Sequence, residues 1–350
     1  MFNNNQYIAP LENIKLNIGD GLFVSFKIGN TLSRKDEREK RTNTSDCPIM
    51  KEDSIEYFDR HSKQKLIEQV YGEKWLNRIY GNPLGRLILW LAVKRSWFSR
   101  WYGYRMSKPK SRQLIQGFIS KYGLDVSEFA EGEDSFDSFN DFFVRRLKAS
   151  ARPISQADEV AIFPADGRHM GFQDLSDLEG VFVKGQNFDL KSLFGSVETA
   201  APFEHGTLII SRLCPVDYHR FHYPSTGKAS APVLINGGLS SVNPIALRRD
   251  LSIFWQNKRN LSYIETDGFG RIASFEVGAT CVGSMTYDQS LPRIVQKGEE
   301  KGFFSFGGSS VITLFEPNRI LLAADLLEHS ANNRELYARM GETMGNCPKK

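Results

Sequence analysis

Arg271-Ile272-Ala273-Ser274-Phe275-Glu276-Val277-Gly278 is a short β-rich run that stops on a glycine, and runs of this kind recur through the second half of the chain. Residues 181–183, 207–210, 231–235, 280–286 and 311–315 share the texture, separated by Gly, Pro and Asp. The spacing predicts a mostly β domain over residues 151–330, entered after Arg152-Pro153, with a short C-terminal tail over 331–350. Upstream the pattern changes. From residue 54 to 122, long apolar and basic stretches alternate with few β-branched clusters, and Leu84, Leu87, Ile88 and Leu91 fall at i, i+3, i+4 and i+7. Asn82-Pro83 and Lys108-Pro109 punctuate this texture as helix starts or breaks, so residues 54–150 read as helical. Residues 1–53, rich in Asn, Thr and charge, read as a loosely attached polar extension.

The 350 residues, 41% hydrophobic and 25% charged, suffice for one or two cores. Cys47, Cys214, Cys281 and Cys347 are scattered without a CxxC pair, which suggests neither a zinc site nor a disulfide framework. No basic start followed by an apolar stretch of signal length opens the chain. The longest apolar run, residues 87–93, falls far short of the roughly 20 residues that span a bilayer, so membrane contact is expected to be peripheral. The net charge of +4 conceals a segregation: residues 74–124 hold no Asp or Glu but eleven Lys and Arg. Trp75, Trp90, Trp97 and Trp101 lie in the same segment, interleaved with Arg78, Arg86, Lys94, Arg95 and Arg100. Tryptophan at headgroup level beside cations facing anionic phosphates describes a helix lying in a membrane interface. Plain core packing is the competing reading, and nucleic acid fits less well because the 87–93 run is too apolar for a face that tracks phosphates.

Three segments hold nearly all the unusual polar residues of the β half: residues 163–168 (FPADGR), 215–224 (PVDYHRFHYP) and 306–311 (FGGSSV). Singly they are weak. Asp-Gly is usually a turn, His-x-x-His without nearby ligands at metal spacing need not bind metal, and Gly-Gly-Ser-Ser is most often a bulge or tight turn. Together they supply a carboxylate, an imidazole and a hydroxyl in the order Asp166, His222, Ser309. A serine hydroxyl becomes a competent nucleophile when an imidazole takes its proton and a carboxylate steadies the imidazole.

In that combination the segments resemble those of phosphatidylserine decarboxylases, over about residues 53–327. Residues 142–147 (FFVRRL) with 151–154 (ARPI), residues 277–284 (VGATCVGS) and Lys297-Gly298-Glu299-Glu300 resemble further pieces of that family. Gly307-Gly308-Ser309-Ser310 is similar to the Gly-Gly-Ser-Thr of one family branch, with Ser in the last place, and Asn257-Lys258-Arg259 stands where many relatives carry Asn-Glu-Arg.

The resemblance implies an α+β fold, with an N-terminal helical membrane-associating region before a mainly antiparallel β catalytic domain. It implies a proenzyme that cuts itself between Gly308 and Ser309, leaving chains 1–308 and 309–350 associated and Ser309 converted to a pyruvoyl group, with no metal. His222 is then the base that activates Ser309 and Asp166 its orienting partner. His219 is assigned to returning a proton to the substrate or to holding its carboxylate. Phe221, Tyr223, Phe304 and Phe306 are candidate pocket walls or ordinary core aromatics. The implied partners are phosphatidylserine and an anionic membrane surface at the cytoplasmic face of the cell membrane, with room for a homodimer and none for nucleic acid. Two rivals stay open: an uncleaved Ser-His-Asp hydrolase, although Gly-x-Ser-x-Gly is absent, and a lipid-binding protein of this fold without catalysis.

Overall fold

Val311-Ile312-Thr313-Leu314-Phe315 is apolar at four of its five positions, and such a strand is stable where both faces of its sheet are covered. A computed structural model shows this arrangement. It describes residues 13–17, 23–27, 55–68, 96–178, 188–242, 244–247, 250–279, 285–287, 291–307 and 309–349; for 13–17, 23–27, 96–100 and 245 the description is of backbone alone.

Two hairpins, β1 (Asn13–Asn17) with β2 (Phe23–Lys27) and β3 (Glu56–Asp59) with β4 (Gln64–Ile67), precede the helices α1 (Ser96–Met106), α2 (Ile115–Tyr122) and α3 (Phe139–Phe143). Next come β5 (Val160–Ile162), β6 (Gly167–Phe172), α4 (Leu190–Phe194), α5 (Val197–Ala200), β7 (Thr207–Leu213), β8 (Arg220–His222), β9 (Gly227–Ala229) and β10 (Val233–Ile235). The helices α6 (Pro244–Leu247) and α7 (Ile253–Gln256) lead into β11 (Arg259–Thr266), β12 (Gly270–Gly278), β13 (Met285–Tyr287), β14 (Arg293–Val295), β15 (Glu300–Phe304) and β16 (Ser309–Phe315). The described elements end with β17 (Leu321–Leu322), α8 (Ala324–Ala331), β18 (Glu335–Ala338) and β19 (Thr343–Asn346).

The main sheet runs β14-β9-β11-β12-β16-β7-β6-β18-β3-β4, with β10 also on β11. β18 lies parallel to β3, and the other ladders described are antiparallel. One face carries Leu208, Ile210, Phe275, Ile312 and Leu314 against Leu193, Phe194, Ala246 and Phe254 from α4, α6 and α7. The opposite face carries Ile209, Ile264, Ile272 and Phe315 against the small sheet β17-β19-β5. A third cluster gathers Tyr102, Ile115, Phe118, Phe139, Phe142 and Phe143 from α1, α2 and α3, and Phe306 joins it from the segment before β16.

The α+β, mainly β architecture agrees with the sequence reading, but two boundaries move. Residues 56–67, expected as helix, form the β3–β4 hairpin, because pairing of Tyr57, Phe58 and Asp59 with β18 and the Arg60–Asp325 ion pair (2.7 Å) hold them on the sheet. Residues 331–350, expected as a tail, supply β18 and β19, whose Leu336, Ala338 and Met344 are fully buried. Strands this short carry too little periodicity to be recognised without their partners. The helical face Leu84-Leu87-Ile88-Leu91, Trp75 and Trp90, and the run at 181–183, lie outside the described residues.

Phe142 is fully buried and its ring meets those of Phe118, Phe129, Phe136 and Phe139 at centroid distances of 5.6–6.0 Å. Phe142→Ala should therefore cost about 3–5 kcal/mol in a denaturant titration. A loss below about 1 kcal/mol would mean that the helical cluster is not packed as described.

Candidate active site

Asp166 sits in the bend between β5 and β6, followed by Gly167, where a side chain would run into the Arg212 carbonyl oxygen, 2.5 Å from the Cβ position. The close approach of β7 thus requires Gly at the start of β6, and the Asp-Gly pair is fixed by packing as well as by turn chemistry. The Asp166 carboxylate is buried. Arg152 donates to it through Nε (2.9 Å to each oxygen) and Nη2 (2.6 Å), and the Met340 amide donates to Oδ1 at 2.8 Å. Arg152 also reaches Glu128 at 3.0 Å.

His219 immediately precedes β8, and His222 is its last residue. The His219 ring packs on Phe143 with centroids 4.0 Å apart. Its Nδ1 lies 3.0 Å from the Asp217 carbonyl, which can only accept, so Nδ1 carries the proton and buried Nε2 presents a lone pair. Burial pulls the His219 pKa down to about 3, opposed by the Asp217 carbonyl and the nearby Gly307 backbone and reinforced by the Arg145 charge. Burial likewise lowers His222 to about 4, partly offset by the Asp166 charge. Both rings are therefore neutral near pH 7. The His222 Nδ1 has no hydrogen-bond partner.

Ser309 opens β16, paired with Leu213 of β7 and Gly278 of β12, and is fully buried. Alternation along β16 puts its side chain on the face of Val311, and that face forms an apolar cluster of Ala165, Leu213, Phe221, Phe304 and Val311. The three segments singled out in the sequence meet in this cluster, one residue from Asp166 and one from His222. The Ser309 Oγ has no hydrogen-bond partner. Gly307 has φ +139°, a backbone region open to glycine, and Phe306 before it is held by the Asn140 side chain (2.9 Å to its amide) and by the rings of Tyr102, Phe139 and Phe143. Gly308 lies outside the described residues.

One expected contact differs. Asp166 influences His222 through space but does not bond it, because both of its oxygens are already engaged by Arg152 and the Met340 amide. Of the four candidate wall aromatics, Phe221 and Phe304 line the Ser309 face, Phe306 belongs to the helical cluster, and Tyr223 lies in the core under the small sheet. Sequence reasoning missed Arg152, whose role depends on a partner 14 positions away, and Phe143, indistinguishable in sequence from its apolar neighbours. It also missed the buried pair Lys301–Glu276 (2.6 Å), to which Tyr287 donates a hydrogen bond of 2.7 Å. Asn257 is a structural clamp, bonding Ser240 and the Gly278 carbonyl beside the strand end that faces Ser309. Among the described residues no group of His, Cys, Asp and Glu is placed to hold a metal, and no helix is long and apolar enough to cross a membrane.

Unfolded histidine titrates near pH 6.5, whereas His222 and His219 take protons in the folded chain near 4 and 3. Between those values the unfolded chain binds more protons, so stability is unaffected above about pH 7 and falls as pH drops below 6.5. Each ring contributes up to about 1.4 kcal/mol per pH unit. Urea midpoints at pH 7.5, 6 and 5 should decline in that order, and His222→Gln should flatten the decline. Equal midpoints at all three would show that the rings are not held neutral.

The family model described as phosphatidylserine decarboxylase matches residues 139–346, which include every candidate site residue. A phosphatidylserine decarboxylase proenzyme of Fusobacterium nucleatum subsp. nucleatum is 41% identical over 294 residues, covering 84% of this chain and 98% of that protein. Proteins of the same name from Clostridium kluyveri (43% over 291 residues, 83% and 98%) and Chlamydia trachomatis serovar L2 (42% over 289 residues, 83% and 96%) are similarly related.

Proposed function

The chain belongs to the phosphatidylserine decarboxylase family, and from that membership we propose that it is a carboxy-lyase that converts phosphatidylserine to phosphatidylethanolamine and CO2 after cutting itself at Gly308-Ser309. The observation that carries this reading is the Ser309 hydroxyl, fully buried and unbonded at the head of β16, directly after a glycine pair. A buried hydroxyl without a partner is costly, and it is free to attack. Neutral His222 is the base for its proton, and the Asp166 charge raises the proton affinity of that ring. The hydroxyl adds to the Gly308 carbonyl, the peptide becomes an ester, and β-elimination releases residues 1–308 with a free carboxylate, leaving at 309 a dehydroalanine that water hydrolyses to the pyruvoyl carbonyl with release of ammonia.

The same position suits a pyruvoyl group, since its surroundings are apolar and nothing else bonds the Ser309 side chain. Formed there, such a group would supply a carbonyl for the substrate amine and a sink for the electron pair that CO2 leaves behind. His219 presents a lone pair at Nε2 and must first gain a proton before returning one to the α carbon. Arrival of the substrate carboxylate raises its affinity for that proton. Phe221 and Phe304 exclude water from the departing carboxylate, which favours its loss as neutral CO2.

Access from a membrane has support at α1. Tyr102 and Met106 turn inward onto the cluster that holds Phe306, while Trp101 (38% exposed) and Tyr104 (62%) face out. Arg105 lies over Trp101 at 5.3 Å and Lys108 over Tyr104 at 4.1 Å, an aromatic and cationic surface suited to anionic headgroups.

Mass spectrometry of purified protein should find two chains, 1–308 and 309–350, the second blocked at its start, whereas Ser309→Ala stays intact. His222→Ala and Asp166→Asn should slow or stop cleavage, and His219→Ala should cleave but lose CO2 release. A wild-type chain that persists uncut would leave the hydrolase or lipid-binding alternatives.

Sedimentation with anionic vesicles should show binding that high salt releases only in part. Trp101→Ser with Tyr104→Ser should remove the salt-resistant fraction. Protein left in the supernatant at low salt would overturn the membrane assignment.

A further inference from the structure

Six arginines among the described residues are buried: Arg145, Arg152, Arg168, Arg212, Arg220 and Arg259. Five are matched. Arg152 holds Asp166, Arg168 holds Asp217, Arg212 holds Glu68 and Glu335, Arg220 holds Glu300, and Arg259 donates to the carbonyls of Ser192, Leu193, Trp255 and Asn257.

Arg145 differs from all of these. It is 5% exposed, its Nε and Nη1 have no hydrogen-bond partner, and Nη2 reaches the Val216 carbonyl only at 3.4 Å. The rings of Phe129 and Phe142 flank its guanidinium carbon at 5.1 and 5.0 Å, which attracts the charge but provides no acceptor for the N–H groups. Asp166 and Asp217 act on it through space, yet their oxygens are already bonded, to Arg152 and the Met340 amide and to Arg168 and the Cys214 amide. Burial lowers its pKa only to about 10, so the group is a cation at neutral pH. Buried cations with free donors are rare because each unpaired donor costs free energy, and in a functional site they match an anionic ligand.

Position ties this cation to the reaction. Arg145 lies two residues after Phe143, on whose ring His219 packs, and its Nη2 contact is to the loop that carries Asp217 and His219. Its charge lowers the proton affinity of His219, so the two share one region of low dielectric.

We infer that Arg145 binds the phosphodiester of the substrate headgroup, an inference that rests on the decarboxylase reading above. The substrate has two anions, and the chemistry separates them. A guanidinium on the carboxylate would stabilise the charge that the reaction must remove and be left unpaired by neutral CO2. The phosphodiester keeps its charge from substrate to product, so binding it holds the headgroup without opposing the chemical step. Removing such a contact raises KM and leaves kcat nearly unchanged.

The test uses the matured enzyme and glycerophosphoethanolamine, which has the phosphodiester but neither acyl chains nor carboxylate. In calorimetric titrations Arg145→Met should bind it about tenfold to a hundredfold more weakly than wild type, with Arg145→Lys between them. With short-chain phosphatidylserine the same variants should show raised KM at similar kcat. Extent of self-cleavage and unfolding midpoint are measured on every sample. A folded, cleaved Arg145→Met that binds glycerophosphoethanolamine as wild type does overturns the inference, as does a rise in KM for phosphatidylserine without weaker glycerophosphoethanolamine binding, which would assign the cation to the carboxylate. Inorganic phosphate competing as strongly as glycerophosphoethanolamine would also overturn it, in favour of a site for free phosphate. Should the Met variant misfold, the Lys variant decides by the same criteria. Wild type that neither cleaves nor releases CO2 would instead remove the decarboxylase reading itself.

Discussion

The bond between the Arg152 guanidinium and the buried Asp166 carboxylate is the constraint on which the site's geometry depends. It joins four distant parts of the chain: Glu128 beside the helical cluster, Arg152 at the start of the β half, Asp166 between β5 and β6, and the Met340 amide between β18 and β19. Removing either partner would leave an unpaired buried charge, a loss of about 3–5 kcal/mol, whereas a surface ion pair contributes at most about 1 kcal/mol. The bond also fixes what Asp166 can do. With its oxygens engaged, it acts on His222 through its field, as a fixed charge beside a neutral ring.

Dryness is the second condition, and it has opposite consequences for stability and chemistry. Ser309, His219 and His222 are all buried, and the cluster of Ala165, Leu213, Phe221, Phe304 and Val311 keeps water from the Ser309 face. The hydroxyl, the His219 Nε2 and the His222 Nδ1 lack partners, each a cost to the folded chain. The same burial holds both imidazoles neutral, the form in which an imidazole can take a proton from a hydroxyl.

Phe306 links this region to the rest of the molecule. It precedes the glycine pair, yet it packs with Tyr102, Phe139 and Phe143, so the segment leading into β16 is anchored on the N-terminal helices. A ring on α1 that faces inward and two aromatics that face outward therefore belong to one short helix, which couples its exposed surface to the backbone beside Ser309.

What the sequence determined by itself was local. The β texture of residues 207–210, 271–278 and 311–315 follows from side chains that favour an extended, buried backbone, and the acid, imidazole and hydroxyl were identifiable because three residue types with that chemistry recur in short, unusual segments. Gly307 and Gly308 could likewise be read as a place where the chain needs freedom from a side chain. Tertiary structure alone decided the rest, because it depends on partners far apart in sequence. Residues 56–67 and 335–346 became strands through pairing with each other and with β5, β6 and β17, not through propensity. Asp166 took Arg152 and an amide 174 positions away as its partners, and Arg145, beside Arg146 in a short run of mixed apolar and basic residues, became distinctive only when folding buried it without a carboxylate. Charge pairing and burial are properties of neighbours in space, which residue order along the chain does not reveal.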